Sequence, residues 1–230
     1  MTSLTRTTRR PAGRRPFPAV VRGLLGCGIA YPVVYIAAND VIAAGRVPGY
    51  SRIDQAVSEL SATGAPTRPF LVAMLPVFTG LTVGFGVGVW HCAEDRRALR
   101  VTSGVLLASG VTGVAWLPFP MSSREDIARG ATTTGDVGHI LLSGLTLAEV
   151  LVLFASGSTA FGTRFRLFSL ASAATVLASG VRTSVGAANL SAGRPTPRLG
   201  LYERLMLAPW LLWMAVLAAL LLRDSRAYKP

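Results

Sequence analysis

Six long apolar stretches recur along the 230-residue chain, at about 20–40, 69–90, 100–119, 136–157, 166–188 and 204–222, with polar segments between them. Each reaches the roughly 20 residues that an α-helix needs to cross the hydrocarbon core of a bilayer. The connections are short, which predicts an all-α fold, an integral membrane bundle of six transmembrane helices over residues 19–223 with no soluble domain. The flanks, residues 1–18 and 224–230, are polar; the first is rich in Arg, Thr and Pro without periodicity and is expected to be a disordered basic cytoplasmic tail drawn to anionic lipid.

The polar segments have patterns of their own. In "GYSRIDQAVSELSATGAPTRP", Ser51 can cap a helix with Asp54 three residues on, Ile53, Val57 and Leu60 share a face, and Gly64 and Pro66 end it. A short amphipathic helix in the first outer loop is expected, covering the mouth of the bundle or resting in the headgroups. "MSSREDIARGATTTGD" repeats the device more weakly, with Ser122 or Ser123 as cap and Glu125 and Asp126 in the first turn. The prolines of "SAGRPTPRLGLYER" exclude a continuous helix there. Gly26 and Ala30 in the first span, and Gly80, Gly84 and Gly88 in the second, have the four-residue spacing that lets helices approach closely. The last span, Leu-rich with Trp210 and Trp213, is expected to face lipid over much of its circumference.

Composition strengthens the membrane reading: 51% of residues are hydrophobic and 15% charged, and the mean hydropathy is +0.48. The net charge of +12 does not indicate nucleic acid, because the arginines are dispersed rather than gathered on one face with aromatics between them. With the N-terminus inside, the cytoplasmic segments carry Arg6, Arg9, Arg10, Arg14, Arg15, Arg22, Arg96, Arg97, Arg100, Arg164, Arg166, Arg223, Arg226 and Lys229, and the outer segments fewer basic residues. That asymmetry follows the positive-inside rule and puts both termini in the cytoplasm. The first span is too long for a signal peptide, and removing it would invert every later helix. Cys27 and Cys92 fit neither a disulfide framework nor a metal site and are expected to be small packing residues.

Chemistry concentrates in the fourth and fifth spans. Asp136, His139, Ser143 and Thr146 fall within one helical stripe with Glu149 at its margin, and Ser172, Thr175, Ser179, Arg182 and Gly186 form another. Lipid offers polar side chains no partners, so the two stripes are expected to face each other or a cavity. A guanidinium in hydrocarbon costs at least a few kcal/mol, so Arg182 needs a partner. At 1.5 Å per residue it lies roughly 9 Å below the outer end of its span, and Glu149 roughly 20 Å below the end of its own. The depth mismatch favours Asp136 as the first partner, with Asp40, Glu59 and Glu203 as further acceptors at the rim.

Two readings follow. Arg182 and a carboxylate lock the two helices together, or Arg182, His139, Asp136, Glu203, Arg204 and Glu59 line an outward-facing polar vestibule that binds a lipid headgroup or small anion. Glu149, deeper and alone, is a neutral structural acid or a proton-carrying site. Intramembrane hydrolysis is the weakest alternative. His91 and His139 fall on opposite sides of the predicted topology, the metal-ligand count is too low for a closed site, and no serine sits on a sharp loop near His139. No cofactor and no nucleic-acid partner is expected, and self-association is left open.

At "SELSATGAP", "GDVGH" and "GLYERL" followed by "PWLLWM", the sequence resembles a family of uncharacterised multi-pass membrane proteins of archaea and bacteria, domain of unknown function nine-nine-eight. The likeness extends from the first span to the last. It implies six helices and a location in the plasma membrane of a prokaryote, and it draws attention to Ser58, Leu60, Gly64, His139, Gly200, Glu203 and Arg204. It implies no activity, so lipid handling or transport and a structural role beside a partner both remain open.

Overall fold

A computed structural model describes residues 18–224, and every regular element among them is helical. Six long helices are present: α1 (Ala19–Arg46), α2 (Arg68–Ala93), α3 (Arg97–Ala115), α4 (Thr134–Ser158), α5 (Thr163–Ser191) and α6 (Leu199–Asp224). All but α5 are long and apolar enough to cross a membrane; α5 is as long, but Arg164, Arg166, Arg182 and its many hydroxyl residues lower its hydropathy. The two predicted tails lie outside the described residues, apart from Pro18 and Asp224.

Each helix packs on its neighbours in sequence, α6 closes the ring against α1, and α2 touches α6 across the middle. The α4–α5 seam is the most sparsely packed of the ring. The connections 47–67, 116–133 and 192–198 gather at one end of the bundle, and the tight turns near 94–96 and 159–162 lie at the other.

Local chemistry sets the helix ends. Thr133 caps α4 through a reciprocal box with Asp136, whose carboxylate takes the Thr133 N–H at 2.8 Å. Ser123 caps a short helix, Arg124–Ala128, by accepting from the Asp126 N–H, as its sequence predicts. In α1 the ladder widens to a π segment over Ala37–Ala43, and the Asp40 carbonyl is taken by the Arg52 guanidinium at 2.6 and 3.0 Å.

The first loop departs from expectation. Ser51 does form a capping turn, accepting from the Asp54 N–H at 3.1 Å, and the Gln55 N–H closes one helical turn onto the Ser51 carbonyl. The amphipathic helix stops there, and only a 3₁₀ turn at Ser58–Ser61 follows. The reason is competition for the backbone. The Ala56 N–H goes to Glu59 and the Val57 and Ser58 N–H groups go to Glu203. The carbonyls these would have met, of Arg52, Ile53 and Asp54, accept instead from Arg204, the Leu201 N–H and Arg124. Three donors and three acceptors are reassigned to tertiary partners, leaving no ladder to propagate.

The core takes one stripe of the last span, while Leu201, Leu205 and Leu212 stay exposed on the rest of its circumference. Trp213, Met214, Leu217, Ala218 and Leu221 of α6 are fully buried. Trp213 lies over Gly157 of α4, where a Cβ would come within 2.3 Å of the ring, and its Nε1–H donates to Ser169 Oγ of α5 at 2.9 Å. The indole is accepted because a glycine makes room for it and a serine satisfies its one donor. Between α1 and α2 the close approach runs through Gly88, packed on the backbone of Leu24 and Leu25, with Gly84 against Cys27 and Phe85 over Gly28. Gly26 and Gly80 meet nothing. Cys92 is buried, and the two cysteines act as packing residues.

Candidate functional site

The loop end carries most of the polar residues singled out from the sequence, and it divides them into three groups. The first is a closed lock. Arg124, at the start of the short helix, grips Glu59 through two hydrogen bonds of 2.6 and 2.9 Å and reaches Thr196 Oγ1 at 2.7 Å and the Asp54 carbonyl at 3.1 Å. One guanidinium thereby ties all three loops. The Glu59 bond raises the Arg124 pKa, burial opposing it. Arg204, in the first turns of α6, pairs with Asp40 at 2.7 Å and donates to the Tyr50 hydroxyl and the Arg52 carbonyl. Tyr50 in turn donates to the Ala56 carbonyl at 2.8 Å, and burial pushes its pKa up. Glu203 is occupied by the backbone N–H groups of Val57 and Ser58. Glu59, Glu203 and Arg204 are therefore saturated with protein partners.

The second group is Asp136 and His139. Asp136 is buried, and its oxygens accept from the Ser122 N–H, the Ser122 hydroxyl and Thr133. This holds the second loop over the head of α4. His139 packs edge-on against Trp116, ring centroids 4.7 Å apart, with Nδ1 3.4 Å from the Phe119 carbonyl. Arg182 reaches neither residue.

The predicted pairing of Arg182 with Asp136 is thus not made, because Asp136 is spent on capping and on Ser122. Glu149 is not the alternative: its Oε1 accepts from Thr112 of α3 at 2.7 Å. Along α5 the buried residues Ser169, Ser172, Val176 and Ser179 recur at three- and four-residue spacing, and Arg182 lies beside that stripe, exposed.

The third group surrounds Arg182. A cavity of about 400 Å³ is lined on α5 by Arg182, Val185, Gly186 and Asn189, and on the third loop and first turn of α6 by residues from Thr196 to Leu199 and by Tyr202. Arg198 is the residue that sequence reasoning missed. It follows Pro197, and its backbone is in the left-handed region at φ 63°, a conformation that costs a non-glycine residue of order 1 kcal/mol. Asp54 holds it there by accepting the Arg198 N–H at 2.9 Å. That bond and the Ser51 hydroxyl keep the Asp54 carboxyl below the usual range. Neither the Arg182 nor the Arg198 guanidinium has a hydrogen bond or ion pair to another described residue, and the Asn189 amide and Tyr202 hydroxyl are equally uncommitted. The cavity is within the size range of small-molecule sites, and its uncommitted groups are two cations with polar donors beside them, the inventory of an anion site. Among the described residues no three His, Cys, Asp or Glu side chains cluster as metal ligands would.

Sequence order could not reveal this grouping. Arg124, Thr196 and Asp54 are far apart in the chain, and only the "RPTPR" run, two arginines confined by prolines, hints at a rigid basic loop. A family profile described as "Protein of unknown function (DUF998)" matches residues 7–220. No curated protein and no solved structure matches the chain.

Proposed function

The chain belongs to the DUF998 family, a multi-pass membrane protein by its apolar helices, and we propose that it holds an anionic group, a phosphate ester above all, in the Arg182–Arg198 cavity. The observation that carries this reading is the pair of guanidinium groups lining one cavity with no hydrogen bond or ion pair to a described residue, where Arg124 and Arg204 at the same end are each paired with a carboxylate. Two like charges lining one cavity repel each other, Asp54 offsets part of this at Arg198, and a bound anion relieves the rest.

Topology supports the reading. In a six-span arrangement α5 crosses with the rest of the ring, both termini are cytoplasmic, and the three-loop end faces outward. Arg164 and Arg166 then mark the inner boundary of α5. Arg182 stands sixteen residues beyond Arg166, about 24 Å at 1.5 Å per residue, close beneath the far edge of a hydrocarbon core of about 30 Å. A guanidinium at that depth snorkels to headgroup level. The vestibule of the sequence reading contracts to this cavity: Glu59, Glu203, Arg204, Asp136 and His139 lie outside its lining, and Arg182 with Arg198 supplies the binding groups.

Thermal unfolding of the detergent-extracted protein with added sn-glycerol 3-phosphate tests this. A ligand at a hundred times its dissociation constant stabilises the folded state by about 2.7 kcal/mol, so the wild-type melting temperature should rise while that of Arg182→Gln or Arg198→Gln stays flat. A rise of equal size in wild type and both variants, or none in any, contradicts the proposal. A second reading, a structural membrane protein that stabilises a partner, draws on the closed lock of Arg124, Glu59, Arg204 and Asp40, which seals the end of the ring. Under it the two arginine variants lose partner association and leave the anion response unchanged.

A further inference from the structure

The third loop presents its cavity-lining residues on a turn that its own sequence disfavours. The Leu199 N–H donates to the Thr196 carbonyl at 3.3 Å, with Pro197 and Arg198 between them. Proline suits the first central position of such a turn, but a positive φ at the second is the place for glycine, and Arg198 stands there at φ 63°. Ties from the other two loops hold it. Asp54 accepts the Arg198 N–H at 2.9 Å, and Arg124 donates both to the Asp54 carbonyl at 3.1 Å and to Thr196 Oγ1 at 2.7 Å. Both ends of the turn are thereby fixed where Thr196 and Arg198 line the same cavity as Arg182.

Thr196 is buried, at 7% exposure. A guanidinium only donates, so toward Arg124 the Thr196 oxygen is the acceptor. Its own O–H then donates to no described residue, and the cavity is the space it adjoins. A cation on its oxygen polarises that O–H and makes it a better donor.

We infer that Thr196 is the third donor of the Arg182–Arg198 site, oriented by Arg124 as a positioning residue, and that the site selects a phosphate monoester over a carboxylate or a phosphodiester. The inference rests on the anion reading above and adds the class of ligand. A carboxylate or a phosphodiester has two free oxygens, which the two guanidinium groups satisfy between them. Such a ligand leaves the buried Thr196 donor unpaired, which weakens binding. A monoester has a third free oxygen to pair with it. Arg124 stands outside the cavity lining and acts through the Thr196 oxygen and Asp54.

Calorimetric titration of the full-length protein in detergent with sn-glycerol 3-phosphate, glycerate and glycerophosphoglycerol tests this. The wild type should bind the monoester about tenfold more tightly than either of the others, the effect of one charge-assisted hydrogen bond. Thr196→Val, which keeps the side-chain shape and removes the hydroxyl, should abolish that preference by weakening the monoester alone, whereas Thr196→Ser should retain it. Arg124→Gln should abolish the preference too, and adding Thr196→Val to it should take away nothing more. Equal affinities for all three ligands in the wild type, or a preference that survives Thr196→Val, overturns the inference; the anion reading still stands if Arg182→Gln abolishes the binding. Weakening of all three ligands alike by Thr196→Val makes the residue a structural tie and likewise overturns it. If the wild type binds none of the three, the anion reading fails and this inference with it.

Discussion

At the scale of single residues, carboxylates and guanidinium groups at the loop end differ by what they have already bound. Arg204 satisfies Asp40, Tyr50 and a loop carbonyl, so Arg204→Gln strands a partly buried carboxylate and frays the first loop. Charge-assisted bonds of this kind are worth roughly 1.5–3 kcal/mol, and the variant should lose about 2 kcal/mol in thermal or denaturant unfolding. Arg182→Gln, which strands nothing, should change the unliganded stability by less than about 0.5 kcal/mol. Asp54 supplies a pH signature. Its folded pKa is depressed, so its contribution is complete above the unfolded value near 4 and is lost as pH falls through the lower folded value. Glycerol 3-phosphate affinity should accordingly be flat in this respect between about pH 5 and 7, and Asp54→Asn should weaken it throughout by loosening Arg198. Sequence reading reached Arg182, Asp136, Glu59, Glu203 and Arg204 from depth, helical phase and family resemblance. It could not apportion partners, because Glu59 and Arg124 meet only through folding, and Ser122 takes Asp136 from the other side of a loop.

At the scale of helices, boundaries were legible wherever the signal is local. Of the two serines offered as a cap, Ser123 forms it, and the equally local Thr133 box, which the sequence reading passed over, forms as well. The first-loop helix was written the same way and does not form, because Glu203 and Arg204 of α6 claim its backbone. Packing is the other limit. Regular spacing pointed to Gly26 and Gly80 as readily as to Gly84 and Gly88, but only the latter two lie in the α1–α2 contact. Gly88→Ala puts a Cβ 2.9 Å from the Leu25 backbone nitrogen, and must part α1 from α2 at a cost of about 1–3 kcal/mol. Gly26→Ala, with open space around it, should be neutral or stabilising by up to about 1 kcal/mol. Unfolding curves of the two variants side by side check the contrast. Trp213→Ala should cost about 3–5 kcal/mol, since the ring is fully buried between α4 and α5. A Leu-rich helix gives no hint which of its faces is buried, because lipid and protein interior select the same residues.

For the whole molecule, five helices are long and apolar enough to cross a membrane, and α5, which packs between α4 and α6 in the ring, is the sixth span of the proposed topology. In a Cys27→Ala, Cys92→Ala background, a membrane-impermeant maleimide should label Ala131→Cys on intact cells and Ala160→Cys only after permeabilisation; labelling in the opposite sense would reverse the orientation. With the loops outward, as proposed, the lock lies at the end of the ring and the Arg182–Arg198 cavity opens beside it. The most direct test is native mass spectrometry of gently extracted wild type and Arg182→Gln, with thermal unfolding recorded on the same samples. The account predicts that the wild type carries an adduct of a phosphate ester that the variant lacks, while the variant melts like wild type stripped of that ligand. Adduct-free spectra for both proteins, with Arg182→Gln melting several degrees lower, would contradict it and leave Arg182 as a clamp between helices.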